Sequence, residues 1–113
     1  MATVMGAPNV VRGGSHSGNA SALDLAEAGA LDILSSDYVP SALLMAAFRL
    51  VDVPSVGGLP GAIRMVTKTP AEATGLSDRG EVRPGLRADL LRVATHDGEP
   101  VVRAVWREGR RVA

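Results

Sequence analysis

The chain has 113 residues, with 12 basic and 12 acidic side chains, 13 glycines, 7 prolines and no cysteine. That length suits one modest domain and falls well short of the roughly 250 residues of a complete (β/α)8 barrel. Hydrophobic residues at 46% can supply a packed core and argue against a disordered chain, the absence of cysteine excludes disulfides and thiolate metal sites, and balanced charge with one aromatic residue of each kind gives neither the electrostatic footprint nor the stacking platform of a nucleic-acid binder.

No basic leader followed by an apolar stretch opens the chain, and no apolar run reaches the roughly 18 residues of a membrane span, so a cytoplasmic protein without a membrane partner is expected. Residues 3–5 read as the end of a buried strand leading into a Gly-, Ser- and Asn-rich loop that runs from Gly6 to about Asn19. Ser21 with Asp24 three positions on resembles a capping box, and apolar spacing predicts a short helix over 21–28 ending at Gly29. Leu31 to Leu34 is short, apolar and β-compatible, and it ends in the polar cluster Ser35-Ser36-Asp37.

Pro40 suits the first turn of a helix, and Leu43, Leu44, Ala47, Phe48 and Val51 recur on one face of it as a core stripe, with the helix running to about Leu50. Leu59, Ile63 and Val66 form a second core stripe, which Thr69-Pro70 interrupts before a turn ending at Gly75. Residues 1–78 hold 4 basic and 7 acidic side chains against 8 and 5 in residues 79–113, a shift in charge that places a boundary near Asp78. Beyond it the pattern changes to strands over 88–94 and 101–106 joined through Asp97-Gly98, with Trp106 as an anchor and a second turn at Glu108-Gly109-Arg110 before a last edge. The alternation β-α-β-α implies parallel strands that need further strands beside them, followed by a small antiparallel unit.

Two segments carry chemistry. Gly6 to Asn19 joins a strand to a helix N-terminus: its glycines let backbone N–H groups approach a ligand, Ser and Asn add neutral hydrogen bonds, and Arg12 offers a bidentate fork. Phosphate binding is the functional reading of that loop, and a long structural loop is the plain one. Asp37 follows a strand, where a carboxylate can hold a metal or take a proton from metal-bound water, and where it can equally cap the next helix. His16 has no partner at ligand spacing, and His96 beside Asp97-Gly98 reads as an exposed turn residue.

Taken together, Met5-Gly6-Ala7-Pro8-Asn9-Val10-Val11-Arg12-Gly13-Gly14-Ser15-His16-Ser17-Gly18-Asn19 and Leu34-Ser35-Ser36-Asp37-Tyr38-Val39-Pro40 resemble the phosphonate-metabolism diphosphatases of the amidohydrolase superfamily. Asp78-Arg79-Gly80-Glu81-Val82-x-Pro84-Gly85-x-Arg87-Ala88-Asp89-Leu90 is similar to the segment by which that superfamily returns from its barrel to a small β-sandwich, so the resemblance spans essentially the whole chain. The implied fold is α/β, the C-terminal part of a (β/α)8 metal-dependent hydrolase barrel over 1–77 and a piece of the antiparallel β-sandwich over 78–113. The implied reaction is hydrolysis of the 5-triphosphate of a ribose 1-methylphosphonate, releasing diphosphate. Asp37 matches the aspartate expected at the divalent metal, zinc or manganese, and Asn9, Arg12, Ser15, His16 and Asn19 match the loop expected to contact the phosphates of the small-molecule substrate.

The chain departs from the superfamily in having no His-x-His pair, since His16 and His96 are its two histidines. The resemblance therefore places most of the barrel and most metal ligands outside this chain, which leads one to expect inactivity alone. The expected partner is the missing N-terminal half or a second copy of the chain. The alternatives are a non-catalytic phosphate-binding module completing a split enzyme, and an amidohydrolase acting on a cyclic amide, against which the arginine fork of Arg12 argues.

Overall fold

The computed structural model describes residues 3–12, 22–36 and 42–113. Strand β1 (Val4–Gly6) pairs in parallel with β2 (Ile33–Ser35), with Val4 opposite Ile33 and Gly6 opposite Ser35. The crossover between them contains helices α1 (Ala7–Arg12) and α2 (Ala22–Glu27). The α/β class expected from the alternation is the class observed.

Helix α1 corrects the expectation of a loop beginning at Gly6. Pro8 falls in its first turn, where a missing N–H costs no hydrogen bond, and Ala7 and Val10, three residues apart, are both buried against the core. An i, i+3 apolar pair following a strand was the available signal, outweighed by Gly6 and by the run beyond Arg12. Val4 is exposed, which corrects the expectation of a buried strand there. Helix α2 stops as expected at Gly29, whose φ of 72° lets its N–H reach the Ala26 carbonyl while the Ala30 N–H reaches the Leu25 carbonyl, closing two of the orphan acceptors of the last turn.

Helix α3 (Ala42–Arg49) packs across α1 and β2, and its buried face is Ala42, Ala46 and Ala47, followed by Leu50. Alanines let helices approach closely, and Leu50, with no exposed surface, is the largest side chain fully enclosed among the described residues; its burial is worth about 2 kcal/mol. A 3-10 turn at Pro54–Val56 leads to α4 (Gly58–Arg64), which buries Ala62 and then Met65. The Met65 carbonyl accepts the Leu34 N–H at 3.2 Å, tying the end of α4 to β2. Ser55 donates its hydroxyl to the Ala26 carbonyl and holds the 3-10 turn on α2.

The two predicted core stripes reach the core only in part: Ala47 is fully buried, and Leu43, Val51, Ile63 and Val66 pack against the core from its edge. Leu43, Leu44 and Phe48 on α3 are half-buried, as are Ile63 and Val66, and Leu59 is 44% exposed. The tightly enclosed residues of α3 are its alanines, Ala47 of the stripe and Ala42 and Ala46 beside it. Helix α5 (Lys68–Ala73) follows directly after Thr67, with Pro70 in its first turn, so Thr69-Pro70 restarts a helix where a break was expected.

The remaining chain forms an antiparallel sheet of β3 (Leu90–His96), β4 (Glu99–Arg107) and β5 (Arg110–Arg111), in that order. The two links, Asp97-Gly98 and Glu108-Gly109, place all four residues at positive φ, as two-residue hairpin turns with matching twist require. Trp106 is half-buried opposite Leu90. Helix α3 touches β4, and Arg49 pairs with Glu99 at 3.2 Å.

Candidate functional site

Parallel pairing fixes where the chemistry-bearing segments leave the fold. Gly6 and Ser35 are register partners at the C-terminal ends of β1 and β2, so the chain exits both strands on one edge of the pair. From Gly6 it enters α1 at once, which puts Asn9 and Arg12 one helical turn apart on that helix. Asp37 is two residues beyond Ser35. Asp37, Ser15, His16 and Asn19 lie outside the described residues, as do Ser21 and Pro40.

The register itself is pinned at the opposite end. The Thr3 N–H donates to Asp32 Oδ2 at 2.9 Å, and the Thr3 carbonyl accepts the N–H groups of Asp32 and Ile33 at 3.2 and 3.0 Å. Asp32 was not singled out in the sequence reading; an acid standing immediately before an apolar strand is the signal that could have found it.

His96 is largely exposed at the hairpin tip, 3.4 Å from Asp97, as expected of a turn residue. Among the described residues no three His, Asp or Glu groups converge closely enough to hold a metal ion, so these residues do not form a metal centre on their own.

The segment from Asp78 to Leu90 acts as a clamp. The Arg87 N–H donates to the Asp78 carbonyl at 2.7 Å, and the Arg87 guanidinium pairs with Asp89 at 2.7 Å and with Glu108 at 3.2 Å. Asp89 Oδ1 accepts the Glu108 N–H at 2.9 Å, while the Ala88 carbonyl accepts the Gly109 N–H at 2.9 Å. That backbone hydrogen bond from Glu108, helped by the Arg87 guanidinium, holds the Asp89 carboxyl below the usual range. Asp78 is lowered too, first through its hydrogen bond from Arg79 at 2.9 Å. Arg87 and Asp89 thus fasten the approach to β3 onto the β4–β5 turn.

Between the helices and this sheet runs an apolar trough of about 940 Å³. The stripes on α3 and α4 form one wall, and Leu91, Val93 and Val102 lie on the other. The helical stripes are legible in the sequence as core, and part of each does pack there, but periodicity shows that a face is apolar without showing what covers the rest of it.

Against known proteins, the chain is 54% identical over 113 residues to the alpha-D-ribose 1-methylphosphonate 5-triphosphate diphosphatase of Escherichia coli, a match that takes in 99% of this chain and 30% of that protein. The chain is homologous to the C-terminal part of this diphosphatase. It spans under a third of the diphosphatase's length. Imidazolonepropionases of Deinococcus deserti and Streptomyces griseus match at 36% and 35% identity, each over 78% of this chain, with 25% and 26% of their own lengths covered. These relatives are hydrolases of the amidohydrolase family, which is generally metal-dependent. No family model and no solved structure matches the chain. No helix among the described residues is long and apolar enough to cross a membrane.

Proposed function

We propose that the chain supplies the C-terminal end of a metal-dependent diphosphatase of phosphonate catabolism, which hydrolyses the 5-triphosphate of alpha-D-ribose 1-methylphosphonate 5-triphosphate and releases diphosphate in the cytoplasm. The observation that carries this reading is the 54% identity sustained over 99% of the chain. The imidazolonepropionase matches, weaker and covering 78%, favour the diphosphatase over an amide-ring hydrolase. In this reading residues 1–77 complete a (β/α)8 barrel and residues 78–113 a small β-sandwich.

Asn9, Arg12, Ser15, His16 and Asn19 then contact the substrate phosphates, where a guanidinium and backbone N–H groups suit a polyanion. Asp37 is the chain's contribution to a divalent metal, zinc or manganese, and the described residues add no donor set of their own. A metal supplies Lewis-acid activation of water and phosphoryl oxygen. The parallel exit of the two segments from β1 and β2 supports their sharing one rim.

The test mixes the 113-residue chain with the part of the E. coli diphosphatase that precedes the match, supplies the triphosphate with zinc or manganese, and follows products by phosphorus NMR. Diphosphate and the 5-phosphate are expected from the mixture and neither from the chain alone. Silence of the mixture beside an active full-length E. coli control, or turnover of imidazolone propionate instead, rejects the reading and leaves a non-catalytic phosphate-binding module.

A further inference from the structure

The trough between the helices and the sheet is built as a seat. Leu43, Phe48 and Ile63 line one side and Leu91, Val93 and Val102 the other. Val93 and Val102 are register partners across β3 and β4, and Leu91 and Val102 are 54% and 46% exposed. One ion pair joins the two walls, Arg49 on α3 to Glu99 on β4 at 3.2 Å, and a second along the trough links Lys68 on α5 to Glu81 at 3.5 Å.

Most of its polar lining is already engaged; Arg64 on α4 also lines it, without an ion pair among the described residues. Lys68 pairs with Glu72 and Glu81, Asp89 with Arg87 and the Glu108 N–H, and the Thr67 hydroxyl donates to the Ile63 carbonyl at 2.7 Å. A small-molecule site presents a few convergent polar groups to fix its ligand's orientation. What this trough presents is two apolar walls, and exposed apolar patches of this kind mark protein interfaces.

The occupant follows from chain length. The E. coli relative has more than two thirds of its length outside the match, and β1 and β2 make a two-stranded parallel pair, which is not stable without further strands or covering layers. We propose that the trough is the docking surface for the part of the diphosphatase polypeptide that precedes the matched region, whose apolar side chains complete the half-built core between α3, α4 and the β3–β4 sheet. This rests on the diphosphatase reading and names the surface by which the two parts of that enzyme are joined.

The experiment uses the absence of cysteine in this chain. Single Val102→Cys and Leu59→Cys variants of the full 113-residue chain, with Val112→Cys as a control outside the trough, are labelled by a thiol reagent with and without the preceding part of the E. coli diphosphatase, co-expressed. Labelling of the two trough positions is expected to slow at least tenfold in the complex, with Val112→Cys unchanged. Leu91→Glu should weaken association at least tenfold by sedimentation, and Leu76→Glu should leave it as it is. Equal labelling in the complex overturns the proposal, and so does protection in the isolated chain that rises with its own concentration, which would mean that a second copy fills the trough. Protection without diphosphate release would sink the catalytic reading while sparing the docking one; release without protection does the reverse.

Discussion

Thr3 and Asp32 are bonded in both directions: the Thr3 N–H donates to the Asp32 carboxylate at 2.9 Å, and the Asp32 N–H donates back to the Thr3 carbonyl at 3.2 Å. Since these residues stand just before β1 and β2, the reciprocal pair sets the parallel register and with it the exit of both chemistry-bearing segments. Asp32→Ala leaves a part-buried N–H without its acceptor. A loss of about 1–2 kcal/mol is expected, read from the urea midpoint, with Asp32→Asn recovering part of it. An unchanged midpoint in Asp32→Ala would show that the clamp contributes nothing.

Helix propensity and packing make opposite forecasts at Gly61. Alanine is the better helix former by about 1 kcal/mol, yet a Cβ there would sit 1.8 Å from the Val56 carbonyl oxygen, a backbone atom that cannot swing away. Packing wins, and Gly61→Ala should destabilise by about 1–3 kcal/mol. Gly75→Ala offers the contrast: nothing lies within 4 Å of the added carbon, but φ is 79°. A cost of about 1–2 kcal/mol is expected from conformation alone, and thermal melts of the two variants check both figures.

How far the sequence carried is seen at these same places. Gly29, the Asp97-Gly98 link and the parallel pairing of the first two strands were readable, because each rests on a local chemical signal or on alternation. The open trough was not, since an apolar stripe on α3 reads identically whether its cover is present or absent. Helix α1 was missed because Gly6 and the glycines after Arg12 outweighed two buried apolar residues. For the candidate site, Asn9 and Arg12 were placed on a loop and stand on a helix, while Ser15, His16, Asn19 and Asp37 fall outside the described residues.

Asp89 provides a pH signature. Its carboxyl is depressed in the folded chain by the Glu108 N–H and Arg87, so the stabilisation it brings is fully present above the ordinary carboxylate value of about 3.9 and is lost as pH falls through the lower folded value. The Glu108 amide resonance should shift in that acid range and its exchange with solvent accelerate. In Asp89→Asn the titration of that amide should vanish. A Glu108 amide that titrates equally in both proteins would contradict the hydrogen bond.

Within the reconstituted diphosphatase, the two proposed contacts predict different kinetic losses. Arg12→Lys keeps the charge and loses the fork, so kcat/KM for the triphosphate should fall about 10- to 100-fold, the value of about 1.5–3 kcal/mol for a charged hydrogen bond. Asp37→Asn should lower kcat about 10²- to 10⁴-fold, as for a lost acid-base or metal-facing carboxylate. Near-normal turnover in Asp37→Asn would return that residue to a helix cap.

The back-to-back tight links at Asp97-Gly98 and Glu108-Gly109 order events in time. Every rung from Leu90 to Arg111 joins residues close in sequence, so the meander can zip within microseconds to tens of microseconds. Val4 and Ile33, by comparison, must find each other across an intervening stretch containing two helices, and closing that larger ring costs entropy before any rung rewards it. The β3–β5 meander is thus quicker to settle than the parallel pair of β1 and β2.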